Sequence, residues 1–80
     1  MRIGFSKWLK RQHRRKDAIG DLSRDIRNDP SWPKQVRKYA YFVGYVENSG
    51  LPEGALAALY SAWCEWSEKF YGQVRLDETG

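Results

Sequence analysis

The sequence predicts an all-α fold, a compact bundle of four to five short helices that forms a single domain over residues 1–80. Four segments place their apolar side chains at the i, i+3, i+4 spacing of an amphipathic helix. Clusters of Pro, Gly, Asn, Asp and Ser separate three of these segments from their neighbours. The one segment rich in aromatic and β-branched residues has no second segment with which it would pair as a strand.

The first predicted helix starts at Ser6, a residue type favoured as an N-cap, and runs to about residue 13 or 14. One side of this helix is formed by Phe5, Trp8, Leu9 and Gln12. The opposite side is formed by Lys7, Lys10, Arg11, Arg14 and Arg15. The helix is therefore amphipathic, with a cationic outer face.

The second predicted helix is capped by Asp17 and runs to about Asn28. Its buried stripe is Ile19, Leu22 and Ile26. Aspartates recur every four residues on the other face, at positions 17, 21, 25 and 29, and we expect them to pair with the basic helix. Gly20 weakens a helix by about 1 kcal/mol relative to Ala, which suggests that it permits a close approach of the first helix.

A turn at residues 28–33 ends the second helix, because each proline disfavours helical geometry at the residue before it. Trp32 lies between Pro30 and Pro33, and we expect its ring to fill the core from this turn. A third helix is predicted from Val36 to about Glu47. Its stripe comprises Val36, Tyr39, Ala40, Val43 and Val46.

The last and longest predicted helix opens at Leu51-Pro52, with proline at the first helical position, and continues to Gly72. Its predicted apolar stripe comprises Leu56, Leu59, Tyr60, Trp63, Trp66 and Phe70. Residues 73–80 show no periodicity, and we expect them to form a frayed tail.

Catalytic and metal-binding functions find little support in the residue types. One His and one Cys do not make a tetrahedral zinc site, and the spaced aspartates, interrupted by Arg24 and Arg27, are expected to be a solvated face. His13 and Cys64 lack a partner in any recognisable catalytic motif. The sequence therefore predicts a protein that is not an enzyme and has no cofactor or metal.

The lone cysteine indicates a reducing environment, and the sequence shows neither a membrane-spanning segment nor a signal peptide, so we expect a cytoplasmic protein. The net charge of +4 is unevenly distributed. Residues 1–16 carry seven Lys or Arg and no Asp or Glu, whereas residues 39–80 carry two basic and six acidic side chains. Such polarity favours an anionic partner or head-to-tail self-association.

The order of several short motifs resembles the YozE SAM-like family of small bacterial proteins. The matching pieces are Phe5-x-x-Trp8-Leu9, Asp17-x-Ile19-Gly20-Asp21-Leu22 with Asp25, Asp29-x-x-Trp32-Pro33-Lys34, Tyr45, Ala62-Trp63 and Trp66. The resemblance implies a topology like that of SAM domains, an architecture used for both protein association and nucleic-acid binding. It implies no active site. The Lys/Arg run around His13 departs from the family pattern.

The leading functional prediction is a small binding module for nucleic acid or another polyanion. The predicted nucleic-acid-binding residues are Lys7, Lys10, Arg11, Arg14, Arg15, Lys16, Arg37 and Lys38. The alternative is a protein-interaction module, an adaptor or an inhibitor, in which the basic helix meets an acidic protein partner and the predicted exposed aromatics Trp32, Tyr41 and Tyr45 contribute contacts. A face paired with the aspartates of the second helix remains the non-functional explanation of the charge.

Overall fold

The structure, a computed structural model, describes residues 3–33 and 38–72. These residues form four α-helices and no strand, which confirms the all-α prediction for them. The helices are α1 (Phe5–Lys10), α2 (Ala18–Arg27), α3 (Tyr39–Asn48) and α4 (Ala55–Tyr71). The predicted start of the third helix at Val36, the cation Arg37 and the predicted tail at 73–80 lie outside the described residues.

The core is aromatic and centres on α4, which packs against the other three helices. The Phe5 ring of α1 lies edge-on to Trp63 and Trp66 of α4, with centroids 4.8 and 5.7 Å apart, and edge-on to Phe42 of α3 at 5.2 Å. Edge-to-face pairs of this kind stabilise beyond the area that they bury. Three helices are thus joined through one ring.

Helix α1 is shorter than predicted, and its cap is different. It starts at Phe5 with Gly4 as N-cap and ends at Lys10, and residues 11–14 form turns. Ser6 is no cap, because its buried hydroxyl donates to the Pro33 carbonyl at 2.7 Å and accepts from Trp32 Nε1 at 3.0 Å. Repulsion among cations three and four residues apart disfavours continuing the helix.

Helix α2 follows the prediction closely. Asp17 is its N-cap and accepts a hydrogen bond from the Gly20 N–H at 2.9 Å, while Ile19, Leu22 and Ile26 are buried. Gly20 does allow a close approach, although the neighbour is the connection between α1 and α2. A Cβ at this position would lie 2.0 Å from the Arg15 carbonyl oxygen.

The buried face of α3 is rotated from the predicted stripe. Phe42 is fully buried and Ala40 is exposed, because the Trp32 ring enters the core and stacks on Phe42 at 5.4 Å. Trp32 is 2% exposed, so the prediction that it fills the core is confirmed. Tyr45 is half-buried, donates a hydrogen bond to an Asp29 carboxylate oxygen and lies edge-on to Trp32.

Helix α4 starts later than predicted, and its buried face keeps Leu59, Trp63 and Trp66 of the predicted stripe but is rotated from it. Gly54, at φ 98°, is the N-cap, and residues 52–55 form a turn in which the Ala55 N–H donates to the Pro52 carbonyl. The predicted core residues Leu56 and Tyr60 are exposed. The buried face comprises Ala58, Leu59, Ala62, Trp63, Trp66 and Ser67. Small alanines on this face let α2 and α1 pack closely. The predicted stripe contained only large side chains and therefore omitted these alanines.

Candidate nucleic-acid interface

One surface of the protein gathers cations from three consecutive segments, and we call it the basic surface. It is defined by the side chains of Lys7, Lys10, Arg11, Arg14, Arg24 and Arg27. The first two lie on α1, the next two in the turns after α1, and the last two on α2. All are exposed except Lys10, which is partly buried.

Hydrogen bonds from α2 to the end of α1 hold the segments together. Arg27 Nη1 donates to the Lys10 carbonyl at 3.3 Å. Arg24 Nη1 donates to the carbonyls of His13 and Arg15 at 2.7 and 3.0 Å. Carbonyls at a helix end lack intrahelical partners and carry partial negative charge, so guanidinium groups stabilise this end and are themselves fixed in place.

The predicted pairing between the basic helix and the aspartates of α2 is largely wrong. Within 3–33 and 38–72, the ion pairs are Arg15 with Asp17, Arg15 with Glu65, and Arg24 with Asp21. No carboxylate of these ranges lies within ion-pair distance of the cations of α1 or of the turns at 11–14. The charge of that part of the basic surface is therefore uncompensated by the described acidic groups.

Arg15 has a structural role and does not belong to the basic surface. Its Nη1 donates to Glu65 at 2.6 Å, and its Nε and Nη2 donate to Asp17 at 3.0 and 2.7 Å. The bonds to Glu65 and Asp17 raise the pKa of the guanidinium. The Arg15 bond and the Gly20 N–H lower the pKa of the Asp17 carboxyl. Arg15 thus links the α1–α2 connection to α4, and its predicted role in phosphate binding stays a prediction.

His13 lies among the guanidinium groups of the basic surface. Partial burial, followed by the charges of Arg27, Arg14 and Arg24, lowers the pKa of its imidazole. Of these three arginines only Arg14 is adjacent to His13 in the chain, and the other two are contributed by α2. The three guanidinium charges make the local electrostatic potential positive, which disfavours the charged form of the imidazole.

The sequence prediction did not include two cations of α2, and one predicted cation, Lys38, lies on another element. In the sequence, Arg24 and Arg27 interrupt the acidic face, but their spacing of three residues places them on one side of α2. Lys16 is exposed after the turns, and Lys38 is exposed at the N-cap of α3, on another element.

The predicted exposed aromatics are only partly exposed. Trp32 is buried, so the predicted exposure of its ring is wrong. Tyr45 is half-buried, and its hydrogen bond to Asp29 raises the pKa of the tyrosine hydroxyl. Tyr41 is 58% exposed. The exposure of Tyr60 was not predicted, because its spacing placed it in the apolar stripe of the last helix. The structure shows it 49% exposed on α4.

A cleft of about 370 Å³ lies between α2 and the start of α4. Carboxyl groups line it, from Asp21, Asp25 and Glu53, together with Arg24. The described part of the chain contains no group of three or more His, Cys, Asp or Glu residues suited to holding a metal ion. Among its helices, none is both long and apolar enough to cross a bilayer.

Comparison with known proteins places the chain in a family. Residues 4–68 match the family model described as YozE SAM-like fold. The chain is 34% identical over 55 residues to the UPF0346 protein SH1485 of Staphylococcus haemolyticus, an alignment that covers 65% of this chain and 75% of that protein. No solved structure matches. The chain belongs to the YozE SAM-like family, and the resemblance drawn from residues 5–66 is confirmed.

Proposed function

We propose that the protein is a non-enzymatic binding module and that the basic surface binds a polyanion, with nucleic acid as the ligand. The observation that carries this proposal is the group of cations on α1 and in the turns at 11–14, which no described carboxylate neutralises. A cytoplasmic location, where nucleic acid is accessible, belongs to the same proposal and rests on the lone Cys64.

The energetic reason is the release of counterions. Each phosphate neutralised by a Lys or Arg frees condensed cations from the nucleic acid, so the binding free energy grows with the number of contacts and falls with salt. Cations already paired with carboxylates must break those pairs first. Lys7, Arg11 and Arg14, which form no ion pair with a described carboxylate, escape that cost.

The remainder of the molecule favours one binding orientation. Glu53, Glu65 and Glu68 lie on or beside α4, and the aspartates at positions 17, 21, 25 and 29 lie on α2 and next to it. A field with positive and negative sides orients the protein toward an anionic ligand and speeds the encounter. Contact with phosphates is therefore expected through the basic surface alone.

The test is fluorescence anisotropy with a labelled DNA duplex at low salt. Arg11→Gln/Arg14→Gln lowers the net charge by two on the basic surface. Lys69→Glu lowers it by the same amount on exposed α4. We expect at least about a tenfold loss of affinity in the double variant and less than about a threefold loss in the control. Equal losses in both variants, or no binding by the wild type, would contradict the proposal.

Exposed apolar side chains support a second candidate, a protein-interaction module. In the described ranges, the large exposed ones are Tyr41, Leu56 and Tyr60, all on α3 or α4. Exposed tyrosines are enriched where proteins meet. The first partner to test is a second copy of the chain, by sedimentation equilibrium of the wild type and of Tyr41→Ala/Tyr60→Ala. A monomeric wild type at high concentration would rule out self-association.

A further inference from the structure

We propose that the basic surface binds the phosphodiester backbone of double-stranded nucleic acid without reading its base sequence. This inference rests on the proposed function and names the ligand class of the same surface. Three features of the described residues carry it: the absence of an aromatic platform beside the cations, the engagement of the neighbouring amide side chains, and the anchoring of two arginines of α2 on carbonyls of α1 and of the connection after it.

In the described part of the chain, no exposed aromatic ring lies on α1, on α2 or in the connection between them. The aromatic side chains of α1, Phe5 and Trp8, are 3% and 5% exposed, and α2 contains no aromatic residue. The exposed rings of Tyr41 and Tyr60 belong to α3 and α4. Proteins that bind single strands usually combine cations with stacking on aromatic side chains, an interaction of about 1–3 kcal/mol per base. A single strand would gain no such stacking energy at the basic surface.

The amide side chains nearest to the cations are engaged by the protein backbone. Gln12 Nε2 donates to the Trp8 carbonyl at 3.0 Å, and Asn28 Nδ2 donates to the Arg24 carbonyl at 3.3 Å. Asn and Gln read adenine through paired hydrogen bonds that need this same amide NH₂ group. Helix α1 has six residues, and its exposed side presents lysine. Apart from arginine and lysine, which also bind phosphate, the described part of this surface therefore offers no amide group that the backbone does not already engage.

The guanidinium groups of α2 are anchored in different ways. Arg24 is engaged through both terminal nitrogens, with Nη1 on the carbonyls of His13 and Arg15 and Nη2 on Asp21. Arg27 uses Nη1 for the Lys10 carbonyl. Its other donors contact no acceptor in the described ranges, so it remains suited to a phosphate. A duplex presents about one charge per 1.7 Å of axis, a higher density than a single strand, and so favours a rigid group of cations.

The experiment compares ligands of equal length at fixed salt by anisotropy. The ligands are a G·C-rich duplex, an A·T-rich duplex and one labelled strand of each. We expect the two duplexes to bind within about a factor of three of each other and each single strand to bind at least about fivefold more weakly. Unlabelled inorganic polyphosphate should displace the duplex, because the surface contacts phosphate alone.

Variants separate the possible outcomes. Tyr41→Ala/Tyr60→Ala should leave the affinity for single strands unchanged, and Gln12→Ala should leave the ratio between the two duplexes unchanged. Stronger binding of a single strand, or about a tenfold preference between the duplexes, would overturn this inference while the proposed function stands. No binding of any ligand by the wild type would overturn both.

Discussion

Replacing Gly20 with alanine tests the packing that positions the basic surface. In an unconstrained helix this change stabilises by about 1 kcal/mol, because alanine has the higher helix propensity. Here the new Cβ would lie 2.0 Å from the Arg15 carbonyl oxygen and 2.7 Å from the carbonyl carbon. Both atoms belong to the backbone, so a side-chain rotation does not relieve the overlap.

The expected net effect is a destabilisation of about 2 kcal/mol. Overpacking costs about 1–3 kcal/mol in well-packed sites, and a clash with backbone belongs at the upper end of that range. The gain in helix propensity offsets about 1 kcal/mol of this cost. For a domain of this size, such a change lowers Tm by about 8–16 °C. Shifting Arg15 would also disturb its bonds to Asp17 and Glu65.

Urea denaturation followed by circular dichroism at 222 nm measures the effect, and Gly44→Ala is the matched control. Gly44 lies inside α3, and a Cβ there would meet no atom within 4 Å. The control should therefore be stabilised, by up to about 1 kcal/mol. A Gly20→Ala protein as stable as the wild type, or more stable, would refute the close approach between α2 and the α1–α2 connection.

Three further changes test the contacts around this arrangement. Ser6→Ala should lower the free energy of unfolding by about 1–3 kcal/mol, because Trp32 Nε1 loses its acceptor. In a Trp32→Phe background, which has no such donor, the same change should lower it by less. The lowered pKa of Asp17 adds stability to the fold above the ordinary carboxyl pKa of about 4, and this stability disappears as pH falls through the folded-state pKa. Asp17→Asn keeps an N-cap, so it should flatten the plot of unfolding free energy against pH below about pH 4. An unchanged plot would exclude this linkage. Arg15→Gln should lower Tm with little effect on DNA affinity, whereas Arg14→Gln should weaken DNA binding with little effect on Tm. The opposite pair of results would refute the structural role of Arg15.

The elements that the sequence predicted well are those specified by local chemistry. The Asp17 cap, the stripe of Ile19, Leu22 and Ile26, and the left-handed Gly72 that ends α4 all depend on neighbours in the chain. Periodicity and capping preferences contain this information. The family-level fold was likewise accessible from the spacing of short motifs.

The elements that the sequence did not predict depend on contacts between distant segments. Ser6 had the type and position of a cap, but Trp32 and Pro33, more than 25 residues away, use its hydroxyl. The burial of Phe42 in place of Ala40 follows from where the Trp32 ring enters the core. Tyr60 fitted the predicted stripe, yet the buried face of α4 is set by its packing on α2.

The basic surface shows the same division. Its half on α1 and the following turns was visible as a run of cations. The contribution of Arg24 and Arg27 was hidden, because their bonds to the carbonyls of residues 10, 13 and 15 require the two helices to be docked. The structural role of Arg15 was also hidden, since Glu65 is 50 residues away in the chain.

The most direct test of polyanion binding by the basic surface is the salt dependence of duplex affinity. The logarithm of the association constant should fall linearly with the logarithm of salt concentration, with a slope of about −0.9 for each phosphate neutralised. We predict that Arg11→Gln/Arg14→Gln makes this slope shallower by about 2 and that Lys69→Glu leaves it unchanged. A slope near zero in the wild type, or the same slope in the double variant, would contradict the assignment of this surface.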